Sequence, residues 1–320
     1  MSVTFYRDQL KSRQAREYYD RILSVVSGEE PAAHIPLPVS DGADGSEDAF
    51  AAWRAVKKDR TELFFIGRNA QTQTRDGQFF LDITLLYSPE EIRKMRVCMD
   101  RRLRHLTVGV MHLPLWEREK VVYERVKRMI IYKDHDKEYD HSIAGPLMQG
   151  SGVCEGFSHL MIQALRRVGV PCIYVHGKGI EDGGNHGWNM VWLGDRSYHL
   201  DVTWEAAYED GEVGFHYFNL TDEQIGRDHI IETEGLPRCE DPTGGYYSRV
   251  GTLFTSPEEM AAYLKEAFAK SGDAKRVRLE GPYDIQKCLA GALNGLPGQY
   301  RYQWFEKQRT AMIWKIKDET

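Results

Sequence analysis

Apolar side chains recur at two different spacings along the chain, and each spacing predicts one kind of element. Where apolar residues fall three or four positions apart, the pattern predicts an amphipathic helix. Where they alternate with polar residues, as Leu81, Ile83 and Leu85 do, the pattern predicts a half-buried strand. The predicted helices cover residues 5–26, 92–106, 116–131, 155–168, 260–268 and 285–293. The predicted strands cover residues 62–67, 78–87, 171–175, 187–193, 198–202 and 276–279, with a strand pair within 300–317.

Two helix starts carry a specific local signal. The tetrapeptide Ser-Pro-Glu-Glu occurs at residues 88–91 and again at 256–259. Its serine is a favoured N-cap, its proline suits the first helical position, and its second glutamate can close a capping box. The segment 27–48, rich in proline, glycine and acidic residues, is predicted to be a loop or linker, and 142–148 a short helical turn.

Composition excludes several classes of function. The 320 residues are 42% apolar and 28% charged, which is typical of a globular protein with a sizeable core. The net charge of −6 gives no basic surface for nucleic acid or an anionic membrane. No run of about 18 apolar residues predicts a membrane span, and the charged N-terminus does not resemble a signal peptide. We therefore expect a cytoplasmic protein that binds neither nucleic acid nor membranes.

The cysteines indicate reduced thiols rather than disulfides. There are five, an odd number, and they are widely spaced without a Cys-x-x-Cys pair. This usage argues against a disulfide framework and against a zinc site made of four cysteines. One of them, Cys154, lies between Gly152 and Gly156 at the predicted start of a helix. A lone cysteine with a histidine and an aspartate elsewhere in the chain is a candidate nucleophile.

The position of Cys154 favours its thiolate, which is the nucleophilic form. The first turn of a helix has unpaired N–H groups and the positive end of the helix dipole, and both stabilise an anion. Gly152 and Gly156 allow a tight turn with room for an acyl group, and the Cys154 N–H is placed to donate to an oxyanion. Taken alone, a cysteine before an apolar helix is more often a small buried side chain.

A predicted hairpin brings a histidine and an aspartate together. A two-residue turn pairs Leu193 with Arg196. His186 and Asp201 then lie on one face as diagonal neighbours, roughly 7–8 Å apart at the backbone. A three-residue loop would put them on opposite faces. In the first register Asp201 accepts from one imidazole nitrogen and leaves the other to take the thiol proton.

Three segments in this order resemble the transglutaminase-like superfamily, whose core has a papain-like fold. They are Gly-Val-Cys-Glu-Gly at 152–156, His-Gly-Trp at 186–188 and Asp-Val-Thr-Trp at 201–204. The family has G-x-C-x-G at the start of its core helix, H-x-W at the start of a strand and D-x-T at the end of the next. Segments 141–147 and 217–222 also resemble bacterial members, and the specific match covers about residues 116–229.

The resemblance implies an α+β fold with a papain-like, transglutaminase-like core. In that core the helix bearing the cysteine packs on an antiparallel sheet that bears the histidine and the aspartate. Residues 111–235 are expected to form this core, residues 1–110 an N-terminal helical and β-strand extension, and residues 250–320 a small C-terminal α/β module.

The resemblance also implies an activity with Cys154, His186 and Asp201 as a catalytic triad. The reaction is acyl transfer or hydrolysis through a thioester, as in a protease, a deamidase or a transglutaminase. The partner is then a peptide or protein that offers a glutamine carboxamide or a peptide amide. The three residues do not decide among these reactions, and the sequence leaves the oligomeric state open.

Further candidate site residues come from one position where this chain differs from the family pattern and from residues near the motifs. Many family members have an aromatic residue in the segment after His141, where this chain has Ala144, so the second oxyanion donor must lie elsewhere. Gln149 is the candidate, because papain-like enzymes use a glutamine upstream of the cysteine. Trp188 and His141 are candidate residues of the substrate cleft. No segment has the pattern of a calcium loop, and we expect neither a cofactor nor a metal.

Two alternatives belong to other classes of function. Arylamine N-acetyltransferases use cysteine, histidine and aspartate on a related core, and the string His-Leu-Asp-Val at 199–202 is compatible with them. The tryptophans at 188 and 204 favour the transglutaminase-like interpretation. The second alternative is a transglutaminase-like fold that serves as a non-catalytic binding module.

Overall fold

The computed structural model describes residues 4–38, 45–205 and 212–316. The α-helices in these ranges are α1 (Phe5–Asp8), α2 (Arg13–Val26), α3 (Ser46–Asp59), α4 (Pro89–Thr107), α5 (Leu115–Met129), α6 (Cys154–Arg167), α7 (Asp222–Ile225), α8 (Tyr246–Arg249), α9 (Pro257–Lys270) and α10 (Ile285–Asn294). The strands are β1 (His34–Leu37), β2 (Ile66–Arg75), β3 (Gln78–Leu85), β4 (Cys172–Gly179), β5 (Asn185–Leu193), β6 (Arg196–Leu200), β7 (His229–Ile231), β8 (Leu253–Phe254), β9 (Lys275–Leu279), β10 (Gln299–Phe305) and β11 (Thr310–Ile316).

The N-terminal part differs most from the sequence-based expectation. The predicted helix 5–26 is two helices, because the Ser12 hydroxyl caps α2 by accepting from the Ala15 N–H. The predicted loop 27–48 contains β1 and the first turn of α3, and its residues 39–44 lie outside the described residues, as does Lys317 of the last predicted strand. The predicted strand 62–67 is wrong in its bounds, since β2 begins at Ile66 and continues as a polar strand. Strands β1, β2 and β3 form a three-stranded sheet in the order β1-β3-β2.

The central sheet is the part that positions the candidate site. Its order is β6-β5-β4-β7, and each neighbouring pair is antiparallel. Helix α6 packs against β4 and β5, and its inward residues Phe157, Leu160 and Met161 are fully buried. Helix and sheet are thus separate layers around one core, which confirms the α+β class.

The C-terminal residues form a third sheet with its own buried cluster. The order is β10-β11-β9-β8, with β8 and β9 parallel, and α9 and α10 pack on this sheet. Polar contacts connect it to the central part: Arg278 donates to the carbonyl of His216 at 2.9 Å, and Gln308 reaches Asp228 at 2.9 Å. The division of the chain at 1–110, 111–235 and 250–320 stays a prediction. Among the described helices, none has both the length and the apolar composition needed to cross a membrane.

Candidate active site

Cys154 is the first residue of helix α6. Val153 precedes it as an N-cap that makes no side-chain hydrogen bond to the first turn. Because the Val153 side chain does not cap that turn, the positive end of the helix dipole lies directly beside the thiol. Cys154 itself is partly buried. The helix therefore begins within one residue of where the sequence predicts it.

The glycines around Cys154 make room for backbone rather than for substrate. A Cβ on Gly156 would lie 2.4 Å from the Asp140 carbonyl oxygen and 3.0 Å from that of Ser142. A Cβ on Gly152 would lie 3.1 Å from the same Asp140 oxygen. The expectation that these glycines leave room for an acyl group is therefore replaced by a packing reason, because the start of α6 lies directly against residues 140–142.

Replacing Gly156 with alanine is expected to lower the free energy of unfolding by about 1–3 kcal/mol, because the added methyl group overlaps backbone that has no room to move. Gly291 in α10 is the matched control, since a Cβ there meets nothing within 4 Å. Gly291→Ala should be neutral or stabilising by up to about 1 kcal/mol. Urea denaturation of both variants measures the difference, and equal stabilities would contradict the packing reason.

The predicted hairpin forms in the predicted register. Strands β5 and β6 are joined by a two-residue turn, and Leu193 lies opposite Arg196. Strand β6 ends one residue before Asp201. At the other end of the hairpin, Nε2 of His186 lies 2.6 Å from Oδ2 of Asp201. The register places the two side chains on one face, as the diagonal-neighbour argument requires.

The buried Asp201 carboxylate accepts five hydrogen bonds. Its Oδ1 accepts from the N–H and the hydroxyl of Thr203, both at 2.8 Å, and from the Trp204 N–H at 3.1 Å. Its Oδ2 lies 2.6 Å from Nε2 of His186 and 3.1 Å from Nε2 of His229. Burial opposes ionisation, but the two histidines hold the pKa of Asp201 well below its usual range. The side chain is therefore an anion that orients both imidazole rings.

The His186 ring lies between this carboxylate and the cysteine. Asp201 takes Nε2, so Nδ1 is the nitrogen left for the hydrogen bond with the Cys154 side chain. Burial disfavours a charged ring, but the Asp201 carboxylate and the Cys154 side chain raise the pKa of His186 to about 10. The structure thus brings Asp201, His186 and Cys154 together in series.

Trp188 forms a buried wall behind His186. The two rings are stacked, with centroids 5.8 Å apart and an interplanar angle of 18°. The indole N–H donates to Nδ1 of His199 at 3.1 Å, and Nε2 of His199 lies 3.0 Å from Asp222. Burial lowers the pKa of His199. Trp188 is fully buried, so it supports the His186 ring from behind, and its expected role in the substrate cleft stays a prediction.

The other two predicted residues lie apart from this series. His141 faces Glu155 at 3.0 Å and Arg68 at 2.9 Å, so it connects β2 to the residue after Cys154. Gln149 is exposed at the end of the π-helical turn Gly145–Gln149. Within the described residues, no hydrogen bond connects Gln149 to Cys154 or His186. The roles of His141 in the cleft and of Gln149 as an oxyanion donor stay predictions.

Two residues at the site were not identified as site residues from the sequence. The hydroxyl of Tyr132 is within hydrogen-bond range of both the thiol and the backbone N–H of Cys154. Tyr132 follows α5 closely and pairs with Gly152 in an isolated bridge, so only tertiary structure brings it to the cysteine. His229 shares the Asp201 carboxylate, as described above. Neither residue lies in a local pattern that distinguishes it from an ordinary tyrosine or histidine.

Residue types suited to metal ions occur in two groups among the described residues. The first is His186, Asp201 and His229, and the second is His199, Asp222 and Cys239. In the first group, Asp201 and both imidazole nitrogens that face it are already paired with one another. In the second group, Nε2 of His199 lies 3.0 Å from Asp222, and the Cys239 thiol lies 3.4 Å from the Ser197 hydroxyl.

Sequence comparison assigns the segment that contains this geometry to a family. Residues 104–202 match the transglutaminase-like superfamily. This segment includes α5, α6 and the hairpin of β5 and β6, and it ends before His229. The resemblance inferred from the three motifs is confirmed by this match.

Two solved structures are similar at 12% sequence identity. The first is a candidate cysteine protease from Cytophaga hutchinsonii, with a TM-score of 0.30. The match covers 42% of this chain and 62% of that protein's chain. The second is a TGase, with a TM-score of 0.28. The match covers 61% of this chain and 58% of that protein's chain. The chain thus spans less than two thirds of either protein. The comparison with curated proteins finds no match.

Proposed function

We propose that this protein is a cysteine-dependent enzyme that acts on peptide or protein amides, with Cys154, His186 and Asp201 as its catalytic triad. The proposal depends chiefly on the His186 ring, whose Nε2 lies 2.6 Å from Asp201 while its other partner is Cys154. A nucleophile, a base and an orienting carboxylate in this order are recognised by geometry on many unrelated folds. The match of residues 104–202 to the transglutaminase-like superfamily supports the same class.

The chemistry begins with attack of the Cys154 thiolate on the amide carbonyl carbon. A C–S bond forms, and the carbonyl oxygen becomes an anion that the Cys154 N–H stabilises. The His186 imidazolium then gives its proton to the leaving nitrogen, so the C–N bond breaks and an amine or ammonia departs. Water or an amine attacks the thioester carbon while His186 takes a proton from the attacking group, and the C–S bond then breaks to release the Cys154 thiolate. Water makes the enzyme a protease or deamidase, and a lysine amine makes it a transglutaminase.

Tyr132 is our preferred second donor to the oxyanion. Its hydroxyl lies beside the same Cys154 N–H that receives the substrate oxygen in the proposed reaction. Burial of the hydroxyl, together with the neighbouring Cys154 side chain, raises the pKa of Tyr132 to about 12, so the group keeps its proton at neutral pH. The residue as a whole is 57% exposed, which leaves it free to shift when substrate binds. Gln149 lacks a comparable contact with the cysteine.

Trapping of the acyl-enzyme tests the proposal. The full chain is mixed with a glutamine-containing peptide library, quenched in acid, and analysed by intact-mass and peptide mass spectrometry. We expect an acyl adduct on Cys154 that hydroxylamine removes, as a thioester requires. Repeating the reaction with a biotinylated alkylamine shows whether water or the amine resolves the adduct.

Two variants and one further substrate complete the test. Cys154→Ala should form no adduct, whereas Cys288→Ala removes a partly exposed thiol elsewhere and should leave the yield unchanged. Equal labelling in wild type and Cys154→Ala would overturn the proposal in favour of a non-catalytic module. An adduct formed only from acetyl-CoA, and passed to an aromatic amine, would instead indicate arylamine N-acetyltransferase chemistry.

A further inference from the structure

His229 lies buried between two carboxylates. Its Nδ1 is 2.5 Å from Oδ1 of Asp228, and its Nε2 is 3.1 Å from Oδ2 of Asp201. An ionised carboxylate only accepts hydrogen bonds, so each ring nitrogen must carry a proton. The hydrogen-bond pattern therefore defines His229 as an imidazolium. Burial opposes this charge, but the two carboxylates raise the pKa of His229 above its ordinary value.

The second carboxylate is fixed by groups from two other parts of the chain. The Tyr217 hydroxyl donates to Oδ2 of Asp228 at 2.7 Å. The side-chain amide of Gln308, in the turn between β10 and β11, donates to the same oxygen at 2.9 Å. Gln308 is fully buried. The C-terminal sheet thereby reaches the candidate active site through a continuous series, from Gln308 to Asp228, His229 and Asp201.

The neighbouring His199 has a different hydrogen-bond pattern from His229 and a different charge. His199 accepts from the Trp188 indole at one nitrogen, which must therefore lack a proton, and so this ring is neutral. His229 has no such donor among its hydrogen-bond partners. Trp188 and Trp204 pack against the His229 ring with centroids 4.9 and 4.2 Å away, and they exclude water. The titratable groups that face the ring are Asp201, Asp228, His186, His199 and Tyr217.

We propose that His229 is a positioning residue that shares the Asp201 carboxylate with His186 and so sets the pH range over which His186 acts as acid and base. The proposal builds on the triad proposed above. It concerns a residue outside the segment 104–202 that matches the family. The geometry that supports it is the single oxygen, Asp201 Oδ2, on which both rings converge.

The expected direction follows from electrostatics. The His229 cation neutralises part of the charge on Asp201, so that carboxylate stabilises the His186 imidazolium less than an unshared one would. Without the cation, His186 holds its proton to higher pH. Deacylation needs the neutral ring as a base, so it should slow at neutral pH and recover as the pH rises.

The test is His229→Gln, which keeps a donor for Asp201 and removes the charge. Acylation and deacylation rate constants of the full chain are measured separately against pH by burst kinetics with an activated peptide ester. We expect the acidic limb of deacylation to move upward by about one pH unit, with a roughly tenfold loss at neutral pH that is recovered at high pH. Asp228→Asn weakens the same cation and should move the limb in the same direction by less.

Glu232→Gln is the control, because it removes a carboxylate near the same strand that pairs with Lys178 instead of His229. Its profile should match the wild type. A loss of rate that is equal at all pH values in His229→Gln would overturn the proposal, because a merely structural residue has that effect. If His229→Gln does not fold, Asp228→Asn decides by the same criterion.

An NMR titration separates this proposal from the proposed function. The imidazole ¹⁵N shifts of His186 are followed against pH in wild type and His229→Gln, with no substrate present. A higher pKa of His186 in the variant supports the shared carboxylate even if no acyl-enzyme is ever trapped. An unchanged or lower value overturns it even if Cys154 proves to be the nucleophile.

Discussion

Asp201→Asn is expected to lower kcat/KM by about 10³–10⁴-fold, the size of effect seen when the orienting carboxylate of a serine protease triad becomes an amide. Some papain-like enzymes function with an asparagine in this place, because its carbonyl oxygen faces the histidine. The surroundings of Asp201 do not permit that solution. All five groups around the Asp201 carboxylate donate hydrogen bonds to it. In Asp201→Asn, the side-chain amide nitrogen is itself a donor, so it faces other donors in either orientation of the amide.

The orientation of the amide can be deduced from which donors can give up a proton. The backbone N–H groups of Thr203 and Trp204 cannot, and both point at Oδ1. The imidazole rings of His186 and His229 can each lose a proton, and both rings point at Oδ2. The amide nitrogen therefore turns toward the histidines, where it donates to Nε2 of His186 and drives the proton to Nδ1. In that tautomer the ring cannot accept the thiol proton from Cys154.

Steady-state kinetics on the peptide identified by acyl-enzyme trapping measures this effect. Asp195→Asn, in the exposed turn of the same hairpin, makes the same change of charge and should leave kcat/KM within about twofold. Thermal denaturation of both variants shows whether the fold is retained. Activity above a tenth of the wild-type level in folded Asp201→Asn would show that the carboxylate does not orient His186.

The predictable parts of the structure depend on residues close in sequence. The capping box at Ser88 and Glu91 is confirmed, with both of its hydrogen bonds present. Its repeat at Ser256 also caps a helix, by accepting from two first-turn N–H groups. The two-residue turn of the hairpin fixes a register of period two, so the facing of His186 and Asp201 followed directly from counting residues. Each of these features is determined within a few residues of chain.

The features that the sequence did not predict depend on contacts between distant segments. Strand β1 lies in a predicted loop, and its Pro36 is tolerated because β1 is the edge of its sheet. Strand β2 is largely polar because it is exposed, so it has little hydrophobic alternation. Gly156 is constrained by the Asp140 carbonyl oxygen, and this contact is not encoded in the G-x-C-x-G pattern itself.

The residues of the candidate site fall into the same two groups, those in local sequence motifs and those brought in by distant contacts. Cys154, His186 and Asp201 each lie in a short local motif, so the sequence alone is enough to propose them as candidates. His229 reaches Asp201 only because the three-residue strand β7 pairs with β4 at Gly179. A strand of three residues has no detectable periodicity. Asp228, the other carboxylate that contacts His229, is held by Gln308 from the turn between β10 and β11. A histidine held by tertiary contacts in this way is indistinguishable in sequence from a structural one.

The second large effect concerns the reactivity of the thiol before substrate binds. Although burial opposes it, Asp201 keeps the His186 ring protonated up to a pKa of about 10, so an imidazolium accompanies the sulfur across the neutral range. Iodoacetamide should therefore alkylate Cys154 rapidly and with little change between about pH 6 and pH 9. In His186→Gln the cation is absent. We expect the rate at pH 6 to fall by about 10–100-fold and to recover as pH rises, because only bulk base then removes the thiol proton.

Peptide mass spectrometry follows all five cysteines in one experiment, so Cys98 and Cys288, which are also partly exposed, serve as internal references. Cys172 should stay unlabelled, since burial raises its pKa far above the ordinary value for a thiol. His112→Gln alters an exposed histidine and should leave the profile of Cys154 unchanged. If Cys154 reacts no faster than Cys98, or if His186→Gln keeps the wild-type profile, the sulfur is not activated by this ring. The triad would then fail at its first step, because a neutral thiol beside a well-oriented His186 is still a poor nucleophile.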